Sequence, residues 1–334
     1  ILAAGEVRKT RDGLYQWCNN TWKKINKTDL GNLVITYKDR AENITEDVRN
    51  EIENAIARKL IVDNIVDILS EYDFPTPPDS YLMFKNGLVD IETLEFVENS
   101  KDYNITQSFN AEFIRNGDSE EEDVRFKELI VILRKIVAPV CEEAPDKEQR
   151  DEDWSRFRQA MGGLMAGQPT TELFHFYGHS DGGKSIIANL LLTAFGSYGY
   201  KGRIDILKNK ASSTDEVLAD YKDKLLTIVS ELPKDFVIEE HKLKMITEAM
   251  ITADKKYISQ GTFRNRARTI IDSNYLLDVN SADNSIRKRI QSFHFKSHFT
   301  NNVTEDDYYN REFVRDDNVR VLAETGYFNQ AVVR

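Results

Sequence analysis

Cysteine and long apolar segments are scarce in this sequence of 334 residues. Its two cysteines, Cys18 and Cys141, are too few for a disulfide scaffold or a zinc ribbon, and they suit a reducing cytosol. The most apolar stretch, residues 126–141, contains four charged residues, so no segment is typical of a membrane span. We therefore expect a cytoplasmic protein, in a host cell or a bacterial cytosol, with no membrane partner.

The sequence also lacks an excess of basic residues. It contains 56 Asp and Glu against 45 Lys and Arg, a net charge of −11, which by itself argues against binding of nucleic acid. The acids are clustered, however, in residues 118–123, 142–153 and 305–317, whereas residues 261–290 hold six basic and three acidic residues. The distribution of charge along the chain therefore indicates that residues 261–290 form one basic segment that can still bind nucleic acid.

The order of predicted elements indicates an α/β fold. Apolar periodicity predicts a helix over residues 46–71, and residues 33–36 are a candidate buried strand. Further along, helical patterns alternate with buried-strand patterns, which predicts a parallel sheet flanked by helices. The predicted divisions are an accessory α+β module in residues 1–110, a helical lead-in in residues 111–170, an α/β core in residues 171–300 and an acidic C-terminal segment in residues 301–334.

A glycine-rich loop follows the first buried strand of the predicted core. It fits the phosphate-loop (P-loop) pattern of Gly, four residues and Gly-Lys-Ser. Glycines allow backbone N–H groups to turn toward anionic oxygens, and the helix that follows adds its positive end. We expect the loop to bind ATP, with Lys184 on the β- and γ-phosphates and the Ser185 hydroxyl on Mg²⁺. The loop residues are Gly178, His179, Ser180, Asp181, Gly182, Gly183, Lys184 and Ser185.

Three further candidate positions follow the loop. Glu231 comes directly after a buried strand, at the edge where ligands bind in open α/β sheets, and we expect it to polarise water as a general base and to help hold Mg²⁺. Asn274 also follows a buried strand and can orient the water or contact the γ-phosphate. Arg287 and Arg289 are alternatives for an arginine finger that acts on a neighbouring subunit, and the strand spacing favours Arg289.

In this order the motifs resemble the superfamily III helicases, AAA+-type ATPases of viruses and mobile elements, and in particular the poxvirus- and phage-type primase-helicases. Residues 85–91 are similar to the module that precedes the helicase in the same proteins, so the resemblance covers most of residues 10–300. Ser230 departs from the pattern, because many members carry a second acid there. The resemblance implies a P-loop AAA+ core preceded by a small accessory domain.

The resemblance also implies partners. Members form homo-oligomeric rings, usually hexamers, on single-stranded DNA, and a primase or polymerase domain lies upstream in the same chain. A start at Ile1 rather than Met agrees with such an upstream domain. Members carry a hairpin that lines the ring channel, and here basic side chains would pair with phosphates while an aromatic ring stacks on bases. The residues we expect to contact DNA are Lys255, Lys256, Phe263, Arg264 and Arg266.

The function that the resemblance implies is an ATP-dependent DNA helicase of viral or mobile-element replication. One alternative is a non-motor nucleoside triphosphatase that acts as a replication initiator or loader. Another is a module that binds nucleotide only to assemble a ring. Separately, the alternative to DNA contact for the basic hairpin is that it is simply an exposed charged surface. The three alternatives share the P-loop and differ in the use of Glu231, the arginine finger and the hairpin.

Overall fold

The computed structural model of the chain divides into two compact units. The first unit comprises residues 1–78 and 97–106, and the second comprises residues 79–96 and 107–334. The predicted boundaries at residues 110, 170 and 300 stay predictions. The structure describes residues 6–10, 13–41, 44–72, 78–99, 101–103, 105–115, 118–167, 171–207, 218–234, 236–255, 258–280 and 287–334, without the side chains of residues 205, 254, 255, 258–261 and 280.

The first unit packs an antiparallel sheet and three helices around a small apolar core. The sheet has the strand order β1-β2-β3. Trp22 is fully buried on β3 and donates its indole N–H to the Lys101 carbonyl oxygen at 2.9 Å. The elements are β1 (Val7–Thr10), β2 (Gly13–Cys18), β3 (Thr21–Ile25), α1 (Lys27–Arg40), α2 (Glu46–Glu53) and α3 (Ala55–Ile68).

Two predictions for this unit are wrong. The strand predicted at residues 33–36 lies inside α1, which begins at a capping box between Asn26 and Asp29. The single helix predicted over residues 46–71 is two helices, α2 and α3. Asn54 separates them because it ends α2, and its side chain accepts hydrogen bonds from the first N–H groups of α3. Side-chain capping thus overrides the apolar periodicity.

The remaining elements follow in chain order. They are β4 (Tyr81–Phe84), β5 (Gly87–Asp90), β6 (Glu95–Val97), α4 (Glu120–Val137), α5 (Lys147–Met165), β7 (Leu173–Gly178), α6 (Lys184–Phe195), β8 (Gly199–Lys201), β9 (Leu226–Val229), β10 (Val237–Glu239), α7 (Glu240–Thr247), β11 (Met250–Lys255), β12 (Ile258–Arg264), β13 (Arg268–Ser273), β14 (Asp278–Asn280), β15 (Ile290–Phe295), β16 (His298–Thr300), β17 (Glu312–Val314), α8 (Asp317–Thr325) and α9 (Asn329–Val333), with 3₁₀ turns at Gly196–Tyr198 and Ile204–Leu207. In the part of the chain that the structure describes, no helix is both long and apolar enough to cross a membrane.

A five-stranded parallel sheet forms the centre of the second unit. Its strand order is β15-β7-β13-β9-β8, and every neighbouring pair is parallel. One face carries Phe174, Ile228 and Ile270 into a core that α4, α5 and α6 cover. The other face carries Val229 and Ile271 into a second core, which α7 joins. The predicted mixed α/β fold with a parallel sheet flanked by helices is therefore confirmed.

His175 is a polar residue in the middle of this sheet. It lies on β7, is fully buried, and places Nε2 2.9 Å from Ser273 Oγ. The Ser273 hydroxyl donates its own hydrogen to the Tyr275 carbonyl oxygen at 2.5 Å. Nε2–H of His175 is therefore the donor to Ser273 Oγ. Burial lowers the pKa of His175 to about 4, so that the ring is neutral at neutral pH.

We expect His175 to make the fold sensitive to acid. An unfolded histidine binds its proton at a pKa of about 6.5, whereas the folded state does so only near a pKa of about 4. The free energy of unfolding therefore falls as the pH drops through this window, by on the order of 3 kcal/mol from this residue. Urea unfolding at about pH 7, 5.5 and 4.5 measures the slope. His175→Asn should lower stability at about pH 7 but flatten the slope, and parallel curves would contradict the assignment.

Candidate functional site

The glycine-rich loop joins β7 to α6 and needs its glycines for steric reasons. Gly178 has φ +152°, and an added Cβ there would overlap the carbonyl oxygen of Phe295 on β15. Gly183 has φ +84°, and its Cβ would lie 2.8 Å from the Ile136 side chain on α4. Both positions combine a backbone conformation that glycine adopts freely with a lack of space. The loop can therefore pass closely between β15 and α4.

Lys184 is the first residue of α6, and its ammonium group points back under the loop. The residue is only 6% exposed. Nζ donates to the carbonyl oxygens of Gly178 at 2.9 Å and His179 at 2.7 Å, and to Asn274 Oδ1 at 3.2 Å. Burial lowers the pKa of Lys184, and the charges of Asp272 and Asp181 oppose that shift. The predicted loop and the predicted Asn274 therefore both contact the Nζ atom of Lys184.

Two carboxylates lie at the same edge of the sheet. Glu231 follows β9, is exposed, and has a positive φ of +66°. Asp272 lies on β13 and is 8% exposed. Burial raises the pKa of Asp272, the Lys184 charge opposes the shift, and the Glu231 charge adds to it. Sequence reasoning missed Asp272, although an acid two residues before Asn274 at the end of a buried strand was a readable signal.

These residues open into a cleft of about 760 Å³. This volume lies in the range of sites for small molecules and cofactors. Ser185, Glu231 and Asn274 all line it, so the structure brings together the residues predicted to act on nucleotide. The other walls come from α4 and the C-terminal segment, through Glu128, Val131, Ile132, Lys135, Ile136, Phe299, Val314, Arg315, Asp316, Asp317, Val319 and Arg320.

The C-terminal segment contributes directly to the loop. Arg315 Nη1 donates to Asp181 Oδ1 at 3.3 Å, and the Phe299 N–H donates to the Asp181 carbonyl oxygen at 3.0 Å. The helices α8 and α9 pack on α6. Sequence reasoning described residues 301–334 only as an acidic segment and missed this role. A single arginine such as Arg315 among acids carries no motif that would have revealed it.

The candidate arginine-finger residues lie elsewhere. Arg289 is half-buried and donates from Nη1 to Thr247 Oγ1 at 2.8 Å, at the end of α7. Arg287 is exposed and directly follows residues 281–286, which lie outside the described part of the chain. Neither residue is among those that line the cleft. The role of Arg289, or of Arg287, as a finger that acts on a neighbouring subunit stays a prediction.

The predicted DNA-contact residues divide into two groups. Phe263 packs against the second core of the sheet, and Arg264 forms an ion pair with Asp79. Arg266 donates from Nη2 to the Asp79 carbonyl oxygen at 2.6 Å. The Lys255 side chain and all of Lys256 lie outside the described residues. The two arginines are therefore engaged within the chain, and their contact with DNA stays a prediction.

The donor chemistry of the cleft suits a hard cation. Ser185 and Glu231 both line it and offer oxygen atoms, the ligands that Mg²⁺ prefers. Within the described ranges, no group of three or more His, Cys, Asp or Glu side chains is arranged to hold a metal by itself. Mg²⁺ commonly keeps water ligands and binds through one or two protein groups together with substrate phosphates. The residues present therefore fit a cation that arrives with a nucleotide.

Comparison with known protein families gives a match over part of the chain. A model described as a family of unknown function, DUF5906, matches residues 176–289. This range contains the whole loop together with Glu231, Asp272, Asn274 and Arg289. The match therefore covers the part of the chain that builds the strand edge of the cleft.

The similar curated proteins are poxvirus proteins. The "Primase D5" of Fowlpox virus (strain NVSL) is 24% identical over 331 residues, 95% of this chain and 40% of the relative. The "Uncoating factor OPG117" of Vaccinia virus (strain Western Reserve) is 25% identical over 312 residues, 90% of this chain and 38% of the relative. The chain is thus similar to these proteins over nearly its whole length but spans only about 40% of theirs.

The fold is also found in a solved structure. The apo structure of the NrS-1 C-terminal region matches with a TM-score of 0.54 at 14% identity. The match covers 99% of this chain and 66% of that one. At this identity the likeness concerns the fold alone.

The steric role of the loop glycines can be tested with a matched pair of variants. Gly178→Ala should lower the free energy of unfolding by more than about 2 kcal/mol, because Cβ would force the loop away from β15. Gly162→Ala, on the exposed face of α5 with nothing within 4 Å, should be neutral or stabilise by up to about 1 kcal/mol. Urea unfolding of both variants measures the difference, and equal effects would show that the loop tolerates a side chain at Gly178.

Proposed function

We propose that this chain binds ATP with Mg²⁺ in the cleft and hydrolyses it, as the P-loop AAA+-type core of a superfamily III helicase. The observation that carries the proposal is the contact between Lys184 Nζ and Asn274 Oδ1 at 3.2 Å, beside Glu231 in one cleft. The P-loop, Glu231 and Asn274 lie far apart in the sequence, in the order along the chain that is expected for such an ATPase, and all three line this cleft. The cleft volume of about 760 Å³ suits a nucleotide.

Each residue has a separate role in the proposed reaction. Lys184 exchanges the carbonyl oxygens of Gly178 and His179 for phosphate oxygens, since its bonds are to neutral acceptors that a polyphosphate outcompetes. Glu231 accepts a proton from the attacking water, and Asn274 orients that water. Ser185 and Glu231 would hold Mg²⁺, which neutralises phosphate charge when it is bound.

We further propose that the ATPase forms a ring of six identical subunits. ATP hydrolysis by this ring drives its movement on single-stranded DNA in viral or mobile-element replication. The similarity to a poxvirus protein named as a primase supports a role in replication. The chain spans 40% of that relative, so a primase or polymerase domain upstream in the same protein is part of the proposal. Arg289, or Arg287, would complete the site of a neighbouring subunit.

A second candidate is a non-motor nucleoside triphosphatase that serves as an initiator or loader. The ion pair of Arg264 with Asp79 and the hydrogen bond of Arg266 to the same residue favour it, because they occupy two of the expected DNA-contact side chains. A third candidate is a module that binds nucleotide through the same loop only to assemble a ring. It differs from the motor and from the non-motor triphosphatase because it does not hydrolyse ATP.

Hydrolysis depends on Glu231 in this proposal. Glu231→Gln should lower the ATP turnover rate by at least about 100-fold, because the amide cannot accept the proton. Most of the ATP binding should remain, because the amide oxygen can still serve as a ligand for Mg²⁺. Glu51→Gln, at an exposed position of α2, should match the wild type. Turnover is measured by phosphate release and binding by calorimetry. A Glu231→Gln chain that hydrolyses ATP normally would refute the active-site assignment, and a wild type that binds without turnover would favour the ring-assembly module.

Stimulation by DNA separates the motor from the non-motor function. For a motor, single-stranded DNA should raise the ATP turnover rate at least several-fold, and the effect should weaken with rising salt because phosphate contacts carry it. Arg264→Ala should reduce the stimulation but not the basal turnover. The measurement is phosphate release with and without oligo(dT), and electron microscopy with an ATP analogue gives the number of subunits. An ATP turnover rate that DNA does not change would rule out the motor function.

A further inference from the structure

Asp272 has no place among the residues that the motif pattern predicted for the cleft. We infer that Asp272 is the second carboxylate of the divalent-cation site and replaces the acid that Ser230 does not supply. Asp272 acts in this way only if the cleft binds nucleotide with Mg²⁺ as proposed. The role concerns binding of the cation, so it is separable from proton transfer by Glu231.

The register of the sheet brings Asp272 next to Ser230. On the neighbouring parallel strands β13 and β9, Ile270 pairs with Ile228 and Ile271 pairs with Val229. β9 ends at Val229, and continuing this register by one residue sets Asp272 opposite Ser230, across a strand spacing of about 4.8 Å. Ile270 and Ile228 face the core under α6. Because side chains alternate along a strand, Asp272 and Ser230 face that same side, on which the loop lies.

The Asp272 carboxylate has no partner of its own. It is 8% exposed and lines the cleft, yet it accepts no hydrogen bond and forms no ion pair with any residue in the described part of the chain. The ammonium group of Lys184 is already bound to Gly178, His179 and Asn274. Buried carboxylates are normally paired, hydrogen-bonded or bound to a metal. An unpaired one that opens into a cleft therefore points to a positively charged ligand.

The surrounding groups identify that ligand as a divalent cation. Glu231 supplies the other carboxylate, just after the neighbouring strand β9, and Ser185 adds a hydroxyl from the start of α6. Oxygen donors of this kind, together with phosphate oxygens and water, are the ligands of Mg²⁺. A polyphosphate alone would be repelled by Asp272 and Glu231, whereas the same polyphosphate with a cation would be attracted.

The charges predict that loss of Asp272 affects nucleotide binding differently with and without a divalent cation, which a purely structural role would not produce. In Asp272→Asn, nucleotide affinity without a divalent cation should stay the same or increase. The gain in affinity on adding Mg²⁺ should fall by about tenfold or more. If Asp272 only supported the fold, its loss would weaken binding in both conditions alike. Glu128→Gln removes one carboxylate from the exposed α4 wall of the same cleft and should keep the full gain.

The experiment combines two readouts that do not depend on turnover. Calorimetry with ADP, in EDTA and in Mg²⁺, gives the gain in affinity for wild type, Asp272→Asn and Glu128→Gln. Electron paramagnetic resonance of Mn²⁺ with ADP reports occupancy of the cation site directly. A wild type that binds no ADP would overturn the proposed function and this role with it. A wild type that binds, with an Asp272→Asn variant that keeps the full gain and Mn²⁺ occupancy, would overturn only the role of Asp272.

Adding a carboxylate at Ser230 tests the same site from the neighbouring strand. In the Asp272→Asn background, Ser230→Asp should restore much of the Mg²⁺ gain, because the new carboxylate lies beside the lost one. If thermal unfolding shows that Asp272→Asn does not fold, Ser230→Asp in the otherwise unchanged chain takes its place. It should tighten Mn²⁺ binding with ADP several-fold, and unchanged Mn²⁺ binding would overturn the inference.

Discussion

The buried ammonium group of Lys184 is the interaction on which the site depends. A charge that is 6% exposed must be compensated, and three oxygen acceptors from two separate segments surround Nζ. Two of these acceptors are loop carbonyls, so the lysine holds the loop in its turned conformation. The third, Asn274, follows β13. The ammonium group therefore ties the loop to the edge of the sheet and gives the cleft its shape before any ligand binds.

The rest of the cleft is built around this tie by segments that carry no motif. The Asp181 carbonyl and carboxylate are held by Phe299 and Arg315, which come more than a hundred residues later in the chain. Arg315 also bonds Asp317 at 2.9 Å, so the start of α8 is linked to the loop through one guanidinium group. The C-terminal helices, which pack on α6, are therefore connected to the loop by direct contacts.

The distribution of charge reconciles the acidic composition with the proposed binding of anions. Much of the acid near the cleft is paired: Asp306 with Lys135 at 2.5 Å and Asp317 with Arg315. Asp272 differs from these paired acids, because it is buried and has no hydrogen-bond or ion-pair partner among the residues that the structure describes. The arginines expected to meet DNA are likewise held within the chain, both through Asp79. The net charge of −11 therefore describes neither the cleft nor the surface of the basic hairpin, because the local charge of each depends on which acids are paired.

The sequence by itself determined the α/β class and the core of the site. Loop glycines, Lys184, Glu231 and Asn274 could be predicted because strand-end chemistry and the P-loop spacing are local patterns. Local patterns failed where capping by Asn54 and Asn26 competed with periodicity. Only the tertiary structure decided that Asp272 lies beside Ser230, that Arg315 reaches Asp181, and that Arg264 is paired with Asp79. Strand order and long-range packing set these contacts, and neither has a signature in the spacing of residues along the chain.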